Sequence, residues 1–71
     1  MVEIFRTDVE DEISATELMD FILSNNPSLH ISLDLEDCDK ILRVSGEFLE
    51  PVVLMNMVRS AGYACEMLED D

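Results

Sequence analysis

The chain has 71 residues, of which 17 are acidic and 4 are basic, so its formal net charge is −13. A surface this acidic repels phosphate, which excludes nucleic acid as a partner and disfavours anionic membranes. Apolar residues make up 48% of the chain, which suits one small domain spanning residues 1–71. No apolar run is long enough to span a bilayer, and the first residues lack signal-peptide features. We therefore expect a cytoplasmic protein with reduced thiols.

The first half of the chain predicts a strand followed by a helix. Residues 2–7 are rich in β-forming residues and lack helical spacing, which favours a strand. Ser14 and Glu17 fit a capping box that starts a helix at Ser14, and Ile13 is expected to pack against that helix as a hydrophobic staple. Pro27 predicts the end of the helix, because the residue before a proline avoids the α region.

The second half predicts a hairpin, a second helix and a last strand. Apolar and polar residues alternate over 29–36, and residues 40–45 form the returning strand. Pro51 suits the first position of a helix and Gly62 suits the position just after its end. Residues 63–68 are β-prone and predict the last strand, with Cys65 and Met67 facing inward. The core stripe of the second helix is expected to comprise Val53, Leu54, Met57, Val58 and Ala61.

The resulting order, β-α-β-β-α-β, predicts an α+β ferredoxin-like sandwich in which two helices cover one face of a four-stranded antiparallel sheet. Right-handed crossovers place the strands in the spatial order 4-1-3-2. This connectivity brings the loop after the first strand, the hairpin turn and the Gly62 turn to one end of the molecule. Only Lys40 is expected to oppose the carboxylates gathered there, which are Asp8, Glu10, Asp11, Glu12, Glu36, Asp37 and Asp39. Either water surrounds these groups, or a cation or a basic partner occupies the site.

The order of elements, the length and the segment 61–66 (Ala-Gly-Tyr-Ala-Cys-Glu) together resemble the heavy-metal-associated domain family of small copper and zinc carriers. The resemblance implies the ferredoxin-like fold and a metal motif, Met-x-Cys-x-x-Cys, where the first strand meets the first helix. Aligning the first helix puts Val9 at the methionine, Asp11 at the first cysteine and Ser14 at the second. Because soft metals need thiolate or thioether ligands, the resemblance implies a metal-free member or one with altered chemistry.

Metal binding through other ligands is the alternative function, although no cofactor is required by any motif. Oxygen ligands of the acidic loop could hold a hard divalent cation, and an exposed thiol in the hairpin could add a softer ligand. The candidate ligands are Asp8, Glu10, Asp11, Cys38 and Asp39. Cys65 is expected to be a core residue, and His30 lies at the opposite end of its strand.

We expect a non-enzymatic interaction or accessory domain, because the chain has no phosphate loop, nucleophile elbow or usable His–Cys pair. Its partner is expected to be a protein with a basic surface, steered by the acidic end. The outer sheet face is expected to carry an apolar spot that could also support a homodimer. The predicted interaction residues are Phe5 and Ile41 on that face and Glu12 and Asp37 at the acidic end.

Overall fold

The computed structural model describes residues 1–68 of the chain. Its elements follow the predicted order, so the predicted alternation of strands and helices is confirmed within this range. They are β1 (Val2–Thr7), α1 (Glu12–Asn25), β2 (His30–Asp34), β3 (Ile41–Ser45), α2 (Pro51–Ser60) and β4 (Cys65–Met67).

The four strands form one antiparallel sheet in the order β2-β3-β1-β4, which is the predicted order read from the other edge. The long central pair is β1 with β3, in register from Val2 opposite Ser45 to Arg6 opposite Ile41. The outer strands, β2 and β4, each pair with only one neighbour. Buried residues from both helices and from the sheet form a single hydrophobic core, so both helices pack on the same face.

The inward face of β1 differs from the prediction. Phe5 lies opposite Leu42 of β3 and Met67 of β4, and its side chain is 0% exposed. The prediction that Phe5 lies on the outer face is therefore wrong, and so is its assignment as an interaction residue. Val2 and Ile4 take the outer face instead. Because alternate side chains of a strand point to opposite faces, only one set could enter the core, and Phe5 carries the largest apolar surface of the two sets.

The start of α1 also differs from the prediction, by three residues. Asp11, not Ser14, is the N-cap, and its carboxylate accepts a hydrogen bond from the Ser14 amide at 2.7 Å. Ser14 therefore occupies the third helical position, where its hydroxyl also donates to Asp11 at 3.2 Å. Ile13 is 74% exposed and does not act as a staple. Aspartate caps at least as well as serine, and the earlier start allows Val9 to be fully buried before the helix begins.

The boundaries of α2 agree with the prediction. Glu50 is the N-cap residue and Pro51 is the first helical residue. At the other end, the Gly62 amide donates to Arg59 O and the Tyr63 amide donates to Val58 O, which is a Schellman motif. The predicted core stripe is too wide, since Val53 and Ala61 are exposed. No helix within residues 1–68 has the length and apolar character needed to cross a membrane.

Candidate functional site

Three turns meet at one end of the molecule, as the connectivity predicts. The Thr7 amide donates to Asp39 O at 3.2 Å, and the Thr7 hydroxyl donates to Lys40 O at 2.7 Å. These bonds tie the end of β1 to the hairpin between β2 and β3. The Ala64 amide donates to the Asp8 carboxylate at 2.8 Å, which ties the loop after β1 to the turn before β4. We call this surface the acidic end, and its carboxylates are Asp8, Glu10, Asp11, Glu12, Glu36, Asp37 and Asp39.

Two of the predicted metal ligands hold the backbone instead. Asp8 anchors the residue before β4, and Asp11 caps α1. Hydrogen bonds from the Ser14 amide and hydroxyl stabilise the charged form of Asp11, so they lower the pKa of this carboxyl from its ordinary value. Both carboxylates therefore have a structural role that a bound cation would compete with.

The hairpin turn contains a compact group of metal-ligand types. Asp37, Cys38 and Asp39 each offer one ligand atom, and these atoms lie within 4.8 Å of one another. Among residues 1–68 this is the one group of its kind, so Asp8, Glu10 and Asp11 are not brought into it. The structure thus joins two of the five predicted ligands, Cys38 and Asp39, to a residue that was assigned to partner binding.

The turn has its own internal hydrogen bonds. The Asp39 amide donates to the Asp37 carboxylate at 2.8 Å, and the Lys40 ammonium donates to Leu35 O at 2.8 Å. Lys40 itself adopts a left-handed backbone conformation, with φ of 47°, which reverses the chain into β3. The ammonium predicted to oppose the carboxylates is therefore engaged with the backbone of the hairpin.

Arg6 supplies the positive charge that sequence reasoning assigned to Lys40 alone. Its guanidinium lies 3.5 Å from an Asp39 carboxylate oxygen and 3.7 Å from a Glu66 carboxylate oxygen. The side chains are about half exposed or more, so each ion pair is a weak, solvent-screened one. The strand register could have indicated this position of Arg6. Once Phe5 points inward, Arg6 lies on the outer face, together with its cross-strand neighbours on β3 and β4.

The remaining predicted interaction residues occupy different surfaces. Glu12 is exposed in the first turn of α1, and Asp37 is exposed in the hairpin. Ile41 is half-buried on the outer sheet face, where its cross-strand neighbour is Arg6. Phe5 does not contribute to the apolar spot predicted on this face, and Ile4 lies on the face instead. Sequence reasoning also missed Phe48, which is 88% exposed in the loop before α2.

The other nucleophilic and titratable side chains are structural or remote. Cys65 is buried beneath the helices, and its burial raises the pKa of the thiol. It thus behaves as the small apolar core residue that was predicted. His30 is exposed at the first position of β2, away from the acidic end, also as predicted. No protein-family model matches the chain, and a search of curated proteins found no match.

Proposed function

We propose that this chain is a non-enzymatic interaction or accessory domain that binds a partner protein with a basic surface through its acidic end. The observation that carries the proposal is the meeting of three turns, which gathers seven carboxylates on one surface. Such a surface attracts a basic partner over several ångströms and orients it during encounter. The large net charge of the whole chain adds to the same field.

The proposal includes a relationship to the heavy-metal-associated family, with a ferredoxin-like fold and without the thiolate motif. The order of elements and the order of strands support the relationship. Asp11 and Ser14 stand where that family keeps its cysteines, and here they hydrogen-bond to each other as a helix cap. A reducing compartment such as the cytoplasm fits two free cysteines, one of them exposed.

Removing two of the seven carboxylates of the acidic end is expected to reduce capture of the partner strongly. The test uses the double variant Glu12→Gln/Asp37→Asn, beside a control that removes equal charge from the side of α1, Glu17→Gln/Asp20→Asn. Both variants and the natural chain serve as baits in a lysate of the source cells. We expect a basic protein that the natural chain and the control retain and the acidic-end variant loses.

The association rate constant of the purified partner is then measured at rising salt. Because salt shortens the Debye length from about 10 Å at 0.1 M to about 3 Å at 1 M, we expect the rate constant to fall about tenfold or more over that range. A rate constant that stays level as salt rises would contradict the proposal. So would a captured protein that the acidic-end variant and the control retain equally.

Metal binding is the second candidate function, and the observation that favours it is the group of Asp37, Cys38 and Asp39 within 4.8 Å. One thiolate with two carboxylates suits Zn²⁺ better than Cu⁺ or Ca²⁺. If the group is a site, calorimetric titration with Zn²⁺ gives one saturable event, bound zinc raises the melting temperature, and Cys38→Ser weakens binding about tenfold or more. A titration without a saturable event removes this candidate.

A further inference from the structure

The end of the molecule opposite the acidic end is apolar and exposed. Phe48 is 88% exposed and Val53 46%, and Met1 and Val2 are exposed on the other side of Phe48. We call these four residues the apolar end. Single exposed apolar side chains are common in folded proteins, but a contiguous group of them marks a surface that another molecule covers.

The loop that carries Phe48 is anchored on both sides. The Gly46 amide donates to Met1 O at 3.1 Å, and the Met1 amino group donates to Gly46 O at 2.9 Å. On the other side of Phe48, Leu49 is buried in the core. Gly46 permits this path, because a Cβ there would lie 2.6 Å from a methyl carbon of Leu29. These anchors hold the backbone on both sides of Phe48, which lowers the entropic cost of ordering the loop on binding.

A cavity lies on each side of Phe48. The first has a volume of about 290 Å³, with Leu29, Val53 and Leu54 in its walls. The second has a volume of about 710 Å³, and its walls include Met1 and Val2. Cavities of this size accommodate bulky side chains of a bound molecule. Phe48 is therefore an apolar ridge between two clefts.

The two clefts differ in charge. Of the residues that the structure describes, Glu50 is the one charged residue that lines the first cleft. Glu47 lines the second cleft together with His30 and with Met1, whose amino group is positively charged. A ligand that places apolar side chains in the first cleft brings its neighbouring residues next to Glu50, so lysine or arginine is favoured there. A second copy of this chain is disfavoured, because it would bring further carboxylates to the same place and add another net charge of −13.

We propose that the apolar end binds a segment of a partner protein in which bulky apolar residues, seated on either side of Phe48, are flanked by lysine or arginine. This surface is separate from the acidic end. It binds a segment through apolar contacts, and its carboxylates favour segments with basic flanking residues. The acidic end, in contrast, acts by charge alone. The two proposals can therefore fail independently.

The test is a selection from a random peptide library displayed on phage, carried out against the natural chain. Selected peptides are synthesised and their affinities are measured by calorimetry for the natural chain and for Phe48→Ala. We expect the peptides to combine bulky apolar residues with lysine or arginine. Because exposed aromatic residues dominate binding energies at interfaces, we expect Phe48→Ala to weaken binding about tenfold or more.

Two further variants separate the features of the surface. Ile13→Ala removes an apolar side chain of similar exposure, 74%, from the start of α1 and is expected to leave peptide affinity unchanged. Glu47→Gln/Glu50→Gln is expected to weaken binding and to reduce its salt dependence. In amide spectra of the natural chain, the selected peptides are expected to shift signals of residues 46–54. The acidic-end variant Glu12→Gln/Asp37→Asn is expected to bind the same peptides with unchanged affinity.

Four results would overturn the proposal. The first is the absence of any selected peptide whose affinity depends on Phe48, and the second is a set of peptides without basic residues. The third is a dimer in sedimentation experiments that Phe48→Ala dissociates, which would show that a second copy covers the surface. The fourth is Phe48-dependent binding to phosphatidylcholine vesicles, which would assign the surface to lipid.

Discussion

Phe5→Ala is expected to lower the free energy of unfolding by about 3–5 kcal/mol, the usual cost of removing a fully buried aromatic side chain. Phe5 is 0% exposed and lies on the central strand β1, opposite Leu42 and Met67. A domain of this length has about 4–11 kcal/mol of stability in total, taking 0.05–0.15 kcal/mol per residue. The expected loss is therefore between about a quarter of the domain's stability and all of it.

Phe48→Ala is the matched control, because it makes the same chemical change at a side chain that is 88% exposed. It is expected to change the free energy of unfolding by no more than about 0.5 kcal/mol. Urea denaturation followed by circular dichroism measures both values. Comparable losses in the two variants would mean that Phe5 does not occupy the core, or that Phe48 is not a surface residue.

Gly62→Ala is expected to lower the free energy of unfolding by about 1–2 kcal/mol, because L-residues are strained at positive φ. Gly62 has φ of 101°, and its amide closes α2 by donating to Arg59 O. Among residues 1–68, an added Cβ would meet no atom within 4 Å apart from its own chain neighbours, so the expected loss is conformational. The measurement is again urea denaturation, since the change leaves the core untouched.

Gly62→Asn provides the control for this interpretation. Asparagine tolerates the left-handed region better than alanine does, so Gly62→Asn is expected to recover part of the loss despite its larger side chain. If the alanine and asparagine variants lost equal stability, a steric cause would replace the conformational one. A neutral or stabilising alanine variant would show that the turn adopts a different backbone conformation.

The element order was predictable because local signals marked where most elements begin or end. Pro27 ends the α1 region because the proline ring clashes with a helical backbone. Pro51 marks the start of α2 because its fixed φ suits the first helical turn, and Gly62 marks the end because glycine tolerates positive φ. The alternation of Ile31 and Leu33 with polar residues predicted β2, a strand with one wet face. These signals act within a few residues, so they do not depend on the remainder of the chain.

The errors arose where two local signals competed. Asp11 and Ser14 can both cap a helix. In the structure the earlier residue, Asp11, is the N-cap, and Val9 just before it is fully buried. β1 offered one apolar set with Phe5 and another with Ile4, and only pairing with β3 and β4 decided between them. In the hairpin group, Cys38 and Asp39 were predicted as ligands, whereas Asp37 was assigned to partner binding although it is next to Cys38 in the sequence.

Backbone preferences and apolar periodicity, both readable in the chain itself, determined the number, type and order of the elements, and with them the end of the molecule where the acidic turns meet. Tertiary packing alone decided which side of β1 enters the core, how Arg6 is placed among the carboxylates, and that Phe48 stands exposed between two clefts. The physical reason is the distance along the chain over which each kind of interaction acts. A turn or a cap is a contact between neighbours in sequence, whereas burial depends on which distant segments compete for the same interior space.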